Sequence, residues 1–271
     1  MMTSADIGFA QRLTAAERWG YLKRDFEDLI AFEPGGCFVA RAGERRVGIV
    51  TSTSYGTYAF VGSLIVEESH RNTGIGKRLL EHAIAYLQGK GVRTIELDGV
   101  FRAASLYRRL GFKDKYLSLR FFRPPTGRAA AGKAMLHERP DDILEFDLMR
   151  TGIRRERIIC HYFKHFGESA FILMDDGVRA YAFARPRGGG DMGIGPFVAE
   201  DDRAAERLIS EIERKYSEVG VSIGVPEDKR SMVELLKHLG FQYRAPSLRM
   251  YRGDRKAYEN HVYGILSPEK G

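Results

Sequence analysis

Two cysteines in 271 residues are too few to staple a fold, and Cys37 and Cys160 lie far apart. Neither a disulfide framework nor a thiolate metal site is expected. Both sit in apolar segments, which predicts buried free thiols. Long apolar runs are also missing: none approaches the roughly 20 residues that span a bilayer. The opening residues, MMTSADIGFAQRL, lack the charged-then-apolar order of a secretory signal. Metal and membrane are therefore not expected, and the expected compartment is the cytoplasm. The net charge is +7, from 43 Lys and Arg against 36 Asp and Glu, yet no basic block reaches five residues. That scatter argues against nucleic acid and leaves a phosphate-bearing cofactor as a sufficient anionic partner.

Hydrophobic residues make up 44% and charged residues 29%, a globular profile long enough for two ordinary domains. Apolar spacing predicts helix from a Ser4 cap through Phe32, broken after it by EPGG at 33–36. A meander of strands follows over CFVARAGERRVGIVTSTSYGTYAFVGSLIVE, then a helix over 79–88, a buried strand VRTIELD, a short helix FRAASLYRRL and a strand YLSLRFFR. The stretch PPTGRAAAGK reads as a linker. Beyond it the same order of elements returns.

The residues return too. LGFKDKYLSLRFFR from Leu110 matches LGFQYRAPSLRMYR from Leu239, and GSLIVEE from Gly62 matches GPFVAED from Gly195. The second copy is four residues shorter between these anchors. The loss falls where SHRNTGIGK of the first copy becomes DRAAE in the second. A duplicated domain with one loop lost is the reading.

The intact loop, His70 to Lys77, lacks the Ser or Thr of a Walker loop and the third glycine of a dinucleotide fingerprint. What remains is R-x-x-G-x-G between a strand and a helix. Glycines there let successive N–H groups turn onto one anion, and the helix start and basic side chains add positive charge. A solvated glycine turn before a helix fits the same residues.

The pair LIVEESHRNTGIGKRLLEHA and LYRRLGF resembles the signatures of the GNAT superfamily of acyl-CoA-dependent N-acetyltransferases. The resemblance covers residues 5–123, and 134–252 resemble a degenerate second copy. It implies an α/β (α+β) fold of two GNAT-like domains, each a mixed, mostly antiparallel sheet flanked by helices. The division expected is a catalytic domain 1–125, a linker 126–133, a second domain 134–253 without the pyrophosphate loop, and a tail 254–271. The family opens with a strand, whereas this chain opens almost directly with helix, so that strand is either missing or replaced by another segment. The tail HVYGILSPEKG is apolar enough to pair with a sheet and is expected to dock against one of the domains.

By the same resemblance, acetyl-CoA is the co-substrate. Its pyrophosphate would lie on the amides of Arg71, Asn72, Thr73, Gly74, Ile75, Gly76 and Lys77, and its pantetheine would pair with Leu64, Ile65 and Val66. Tyr107 corresponds to the family's general acid, although packing with Ala103 and Leu110 on one helix face also accounts for it. The copy carries Leu236 there. No carboxylate lies on YAFVGSLIV, so Asp98 is the candidate base, against the simpler reading of an N-cap or turn aspartate before Gly99. Trp19 and Tyr55 are candidate walls of the acceptor site or simply packed aromatics. The expected acceptor is a small-molecule amine. A protein N-terminus or lysine, and a non-catalytic acyl-CoA-binding module, are the alternatives. The second half either shapes the cleft or forms a homodimer.

Overall fold

The computed structural model describes residues 1–127 and 140–271, which form two compact units. Most of the expected linker lies outside the described residues. The first unit comprises residues 1–115, 249–255 and 268–271; the second comprises 116–248 and 256–267. The fold class is as expected: mixed sheets, mostly antiparallel, flanked by helices.

In the first unit a 3-10 turn, Ser4–Asp6, leads into α1 (Ile7–Ala16). The cap is Thr3 rather than Ser4. Its N–H and hydroxyl donate to the Asp6 carboxylate at 2.9 and 3.0 Å, because the acid lies three residues beyond Thr3. The expected continuous helix breaks where Arg18 and Gly20 take left-handed φ of 57° and 66°. α2 (Lys23–Phe32) restarts it, with the Leu22 N–H donating to Asp25 at 2.8 Å. Phe9, Leu13, Phe26 and Leu29 of the two helices pack with Ile49 and Ile65 of the sheet.

The meander forms as read: β1 (Phe38–Ala42), β2 (Arg45–Tyr55) and β3 (Tyr58–Val66) pair antiparallel in sequence. α3 (Ile75–Gly89) crosses over to β4 (Thr94–Gly99), which runs parallel to β3. α4 (Ala104–Arg109) follows. Beside β4 lies the end of β10 (Gln242–Gly253). Gly253 sits there at φ 92°, and a Cβ on it would fall 1.9 Å from the Arg93 carbonyl oxygen, so no other residue fits without a backbone shift.

The second unit takes β5 (Lys113–Arg123) from Tyr116 onward, paired antiparallel with β9 (Val221–Pro226). α5 (Pro140–Thr151) and α6 (Glu156–Phe166) precede β6 (Ala170–Met174), β7 (Val178–Pro186) and β8 (Met192–Ala199). α7 (Asp202–Lys215) leads to β9 and α8 (Arg230–His238) to β10. The last strand of each repeat is thus exchanged: most of β5 belongs to the second unit and the end of β10 to the first. A linear cut at 125 and 134 does not describe the compact units. Both strands read S-L-R-x-aromatic-R, so their pattern does not distinguish one sheet from the other.

The tail docks, as expected. β11 (Val262–Gly264) pairs antiparallel with β8 in the second unit, and residues 268–271 belong to the first. Among the described residues, no helix is long and apolar enough to cross a membrane.

Cys37 is fully buried, and burial pushes its thiol up to about 12. Cys160 corrects the sequence reading: it is exposed, because Ile158, Ile159 and Tyr162 take the buried stripe of α6. Iodoacetamide should therefore modify Cys160 in the native protein and reach Cys37 only after unfolding, as read by mass spectrometry. Native labelling of Cys37 at a comparable rate would contradict this burial.

Candidate active site

The site begins with a defect in pairing. Thr51 of β2 faces Gly62 of β3, but Ile49 faces Ile65, so β3 carries one extra residue. This bulge centres on Ser63, whose φ of 49° is left-handed. On the other side of β3 the parallel ladder runs from Tyr58–Thr94 to Val61–Leu97 and is not continued beyond. Leu64, Ile65 and Val66 therefore keep β2 on one edge and lose β4 on the other. An edge of that kind accepts a guest chain through main-chain hydrogen bonds.

The strand runs directly into the glycine loop. A 3-10 turn, Glu68–His70, is followed by Arg71 and by Asn72 at φ 62° and Gly74 at φ 85°. α3 begins at Ile75, four residues ahead of the helix expected over 79–88, so Ile75, Gly76 and Lys77 form its first turn. No side chain caps that turn. Its free amides and the positive helix end point to an anion. The side chain of Arg71 serves elsewhere. Its Nε donates to the Val66 carbonyl at 3.1 Å and its Nη2 to Glu17 at 2.6 Å. Glu17 also accepts from Arg102 at 2.6 Å. Burial opposes its charge, but the two arginines outweigh burial and hold the carboxyl below its ordinary 4.5.

The second unit closes the matching features. Asp201 caps α7, accepting from the Ala204 amide at 2.8 Å and from Arg179 at 2.8 Å. A carboxylate of the chain itself thus takes the helix end that α3 leaves open. The β8–β9 ladder stops at Ile194–Ile223, and β11 fills the gap: it pairs with β8, and the Ile265 amide donates to Gly224. Gly195, the repeat of Gly62, would place a Cβ 2.0 Å from the Ile265 carbonyl oxygen.

Tyr107 on α4 is buried, which raises its hydroxyl to about 12 despite the opposing charge of Arg102. The hydroxyl makes no hydrogen bond with any described residue. Gly99 makes room for the ring, since a Cβ there would lie 2.4 Å from Tyr107 Cε2.

Asp98 is not positioned as a base. Arg249 Nε and Nη2 donate to its two oxygens at 3.1 and 2.9 Å, a bidentate ion pair with both side chains buried. Arg249 also reaches Glu96 at 3.4 Å and lies over the Phe60 ring, while Lys115 holds the other Glu96 oxygen at 2.7 Å. The turn reading fails too, because Asp98 belongs to β4.

Trp19 is half-buried, 6.2 Å from the Tyr21 ring. Tyr55 is buried, and its hydroxyl donates to the Lys270 carbonyl at 2.7 Å. Sequence reasoning missed Glu17, Tyr21, Arg249 and Glu269, because each acts through a partner distant in the chain. Among the described residues no group of three or more His, Cys, Asp and Glu could hold a metal.

Replacing Gly99 by Ala should displace the Tyr107 ring and lower stability by about 1–3 kcal/mol in chemical denaturation. Unchanged stability would show that the ring moves without cost.

Comparison with known proteins agrees with this architecture. Residues 8–112 match the family described as Acetyltransferase (GNAT) family, and residues 143–264 match Acetyltransferase (GNAT) domain. Holothin acyltransferase of Pseudoalteromonas sp. (strain SANK 73390) is 25% identical, with 94% of this chain and 88% of that protein aligned. A Pyrococcus horikoshii protein provisionally described as an acetyltransferase superposes with a TM-score of 0.82 at 23% identity, over 100% of this chain and 94% of its own. The tandem GNAT protein from the clavulanic acid biosynthesis pathway gives 0.61 at 15% identity, over 94% and 98%. With both halves matched and the paired-domain arrangement shared, the chain belongs to the tandem members of the GNAT superfamily.

Proposed function

We propose that this protein transfers an acetyl group from acetyl-CoA to the primary amine of a small molecule, at one site in its first unit. The observation that carries this reading is the open edge of β3 leading into an uncapped α3. A pantetheine arm needs a strand edge free for main-chain pairing, and a pyrophosphate needs clustered free amides. Leu64 to Val66 offer the first, and the amides of Asn72 to Lys77 the second. Arg71 lies outside that amide cluster, because its N–H donates to the Glu68 carbonyl at 3.2 Å while Glu17 and Val66 hold its guanidinium. The similarity to an acyltransferase over nearly the whole chain supports acyl transfer.

In this reading the neutral amine attacks the thioester carbonyl, and a β3 amide at the bulge stabilises the developing oxyanion. As the C–S bond breaks, the thiolate takes a proton from the Tyr107 hydroxyl, the acylated nitrogen sheds one to solvent, and the phenol is reprotonated from solvent. A phenol raised to about 12 stays protonated across the physiological range and is available as an acid. The second unit has neither the free helix end nor the open strand gap, which supports one cofactor per chain.

Tyr107→Phe should lower turnover by roughly 10²–10⁴-fold in a thiol-release assay, with CoA affinity little changed. Undiminished turnover removes Tyr107 from the mechanism. Calorimetric titration should give one CoA per chain, and two equivalents would count against the closed second unit.

A further inference from the structure

β2 and β3 share a face on which Thr51, Thr53 and Tyr55 stand opposite Gly62, Phe60 and Tyr58. The tail segment Pro268–Gly271 lies on that face. The missing side chain of Gly62 is what admits it: a Cβ there would fall 2.5 Å from Glu269 Cα. A Cβ on Gly271 would fall 3.2 Å from Phe60, and Tyr55 donates to the Lys270 carbonyl. Glu269 is thereby set one residue from the Ser63 bulge, where β3 parts from β4.

The Glu269 carboxylate is buried, and its environment is polar. Tyr21 donates to Oε2 at 3.0 Å, and the Lys270 ammonium lies 2.8 Å from Oε1 and 4.0 Å from Asp25. The Tyr21 hydroxyl lies beside Ser63. The hydroxyls of Thr51 and Thr53 are buried in the same face without a hydrogen-bond partner among the described residues. Buried hydroxyls normally find partners. Thr51 faces Gly62, on which Glu269 lies, so the two orphan hydroxyls and the tail segment share one face and offer hydrogen bonds to a ligand.

An acceptor amine with a pKa near 10 arrives as an ammonium at neutral pH and must lose a proton before it attacks. β3 has no carboxylate, and the Arg249 guanidinium holds both Asp98 oxygens, whereas the cation on Glu269 is the single Lys270 ammonium, which has Asp25 as a second carboxylate 4.0 Å away. Lys270 shows that a primary ammonium is held by Glu269 in this setting. We propose that Glu269 receives the acceptor's ammonium and takes its proton, and that Thr51 and Thr53 bind polar groups of a small, hydrogen-bonding primary amine. This rests on the acetyl-transfer reading above. One proton of the ammonium passes to the carboxylate and from Glu269 to solvent. The N–C bond then forms as the C–S bond breaks, and the second proton, shed by the acylated nitrogen, balances the one that Tyr107 gives to the thiolate, so that the phenol is restored.

The test is the pH dependence of kcat/KM for the amine, measured by thiol release in the full chain. Glu269→Gln keeps the side chain's shape. It should lower kcat/KM by about 10²-fold or more at pH 7 and leave CoA affinity unchanged. The deficit should shrink as pH approaches the amine's own pKa, where the amine is neutral unaided. Glu269→Asp should retain the wild-type pH profile at reduced rate. A purely structural role would give Glu269→Gln the same deficit at every pH. That result, unchanged activity, or faster turnover on deleting 268–271 would overturn the proposal. A wild type that binds CoA but acylates no amine would sink the acetyl-transfer reading and this proposal with it.

Discussion

One extra residue in β3 governs the candidate site. The bulge at Ser63 turns the strand while β2 still holds it, and the β4 ladder ends at Val61–Leu97. The freed edge then runs into the glycine loop and α3. A strand edge and a helix end are the two places where backbone polar groups lack partners, and here they follow one another along the chain. The second unit carries the same break between β8 and β9 but satisfies it internally, with β11 along the strand and Asp201 on the helix. The physical difference between the two copies is who satisfies the backbone.

The exchange of last strands has an electrostatic counterpart. Arg249 arrives on β10 and is buried against Asp98, Glu96 and Phe60. Removing one member of such a cluster leaves a buried charge uncompensated, at a cost of about 3–5 kcal/mol. The end of β10 is thus bound to the first unit by chemistry as well as by strand pairing. The same network occupies the carboxylate that looked available as a base, and so shifts attention to the tail.

Much of this was legible in the residues. The meander, the R-x-x-G-x-G loop, the repeat and its four-residue loss all rest on local spacing, which the backbone obeys. Local reading erred where a few residues outweighed periodicity. Left-handed Arg18 and Gly20 split the first helix, Asp6 moved the cap to Thr3, and the α6 stripe turned Cys160 outward. Asp98 was misjudged because its partner lies 151 positions away.

The sequence by itself determined the family, the duplicated order of elements and which copy keeps the anion loop, since these depend on residue types at short spacing. Tertiary structure alone decided the exchange of β5 and β10, the closing of the second gap by β11, the pairing of Asp98 with Arg249 and the placing of Glu269 on Gly62. Each joins segments far apart in the chain. Strand pairing and buried charge pairing depend on distance in space, and a one-dimensional pattern records only the preference to pair, never the partner.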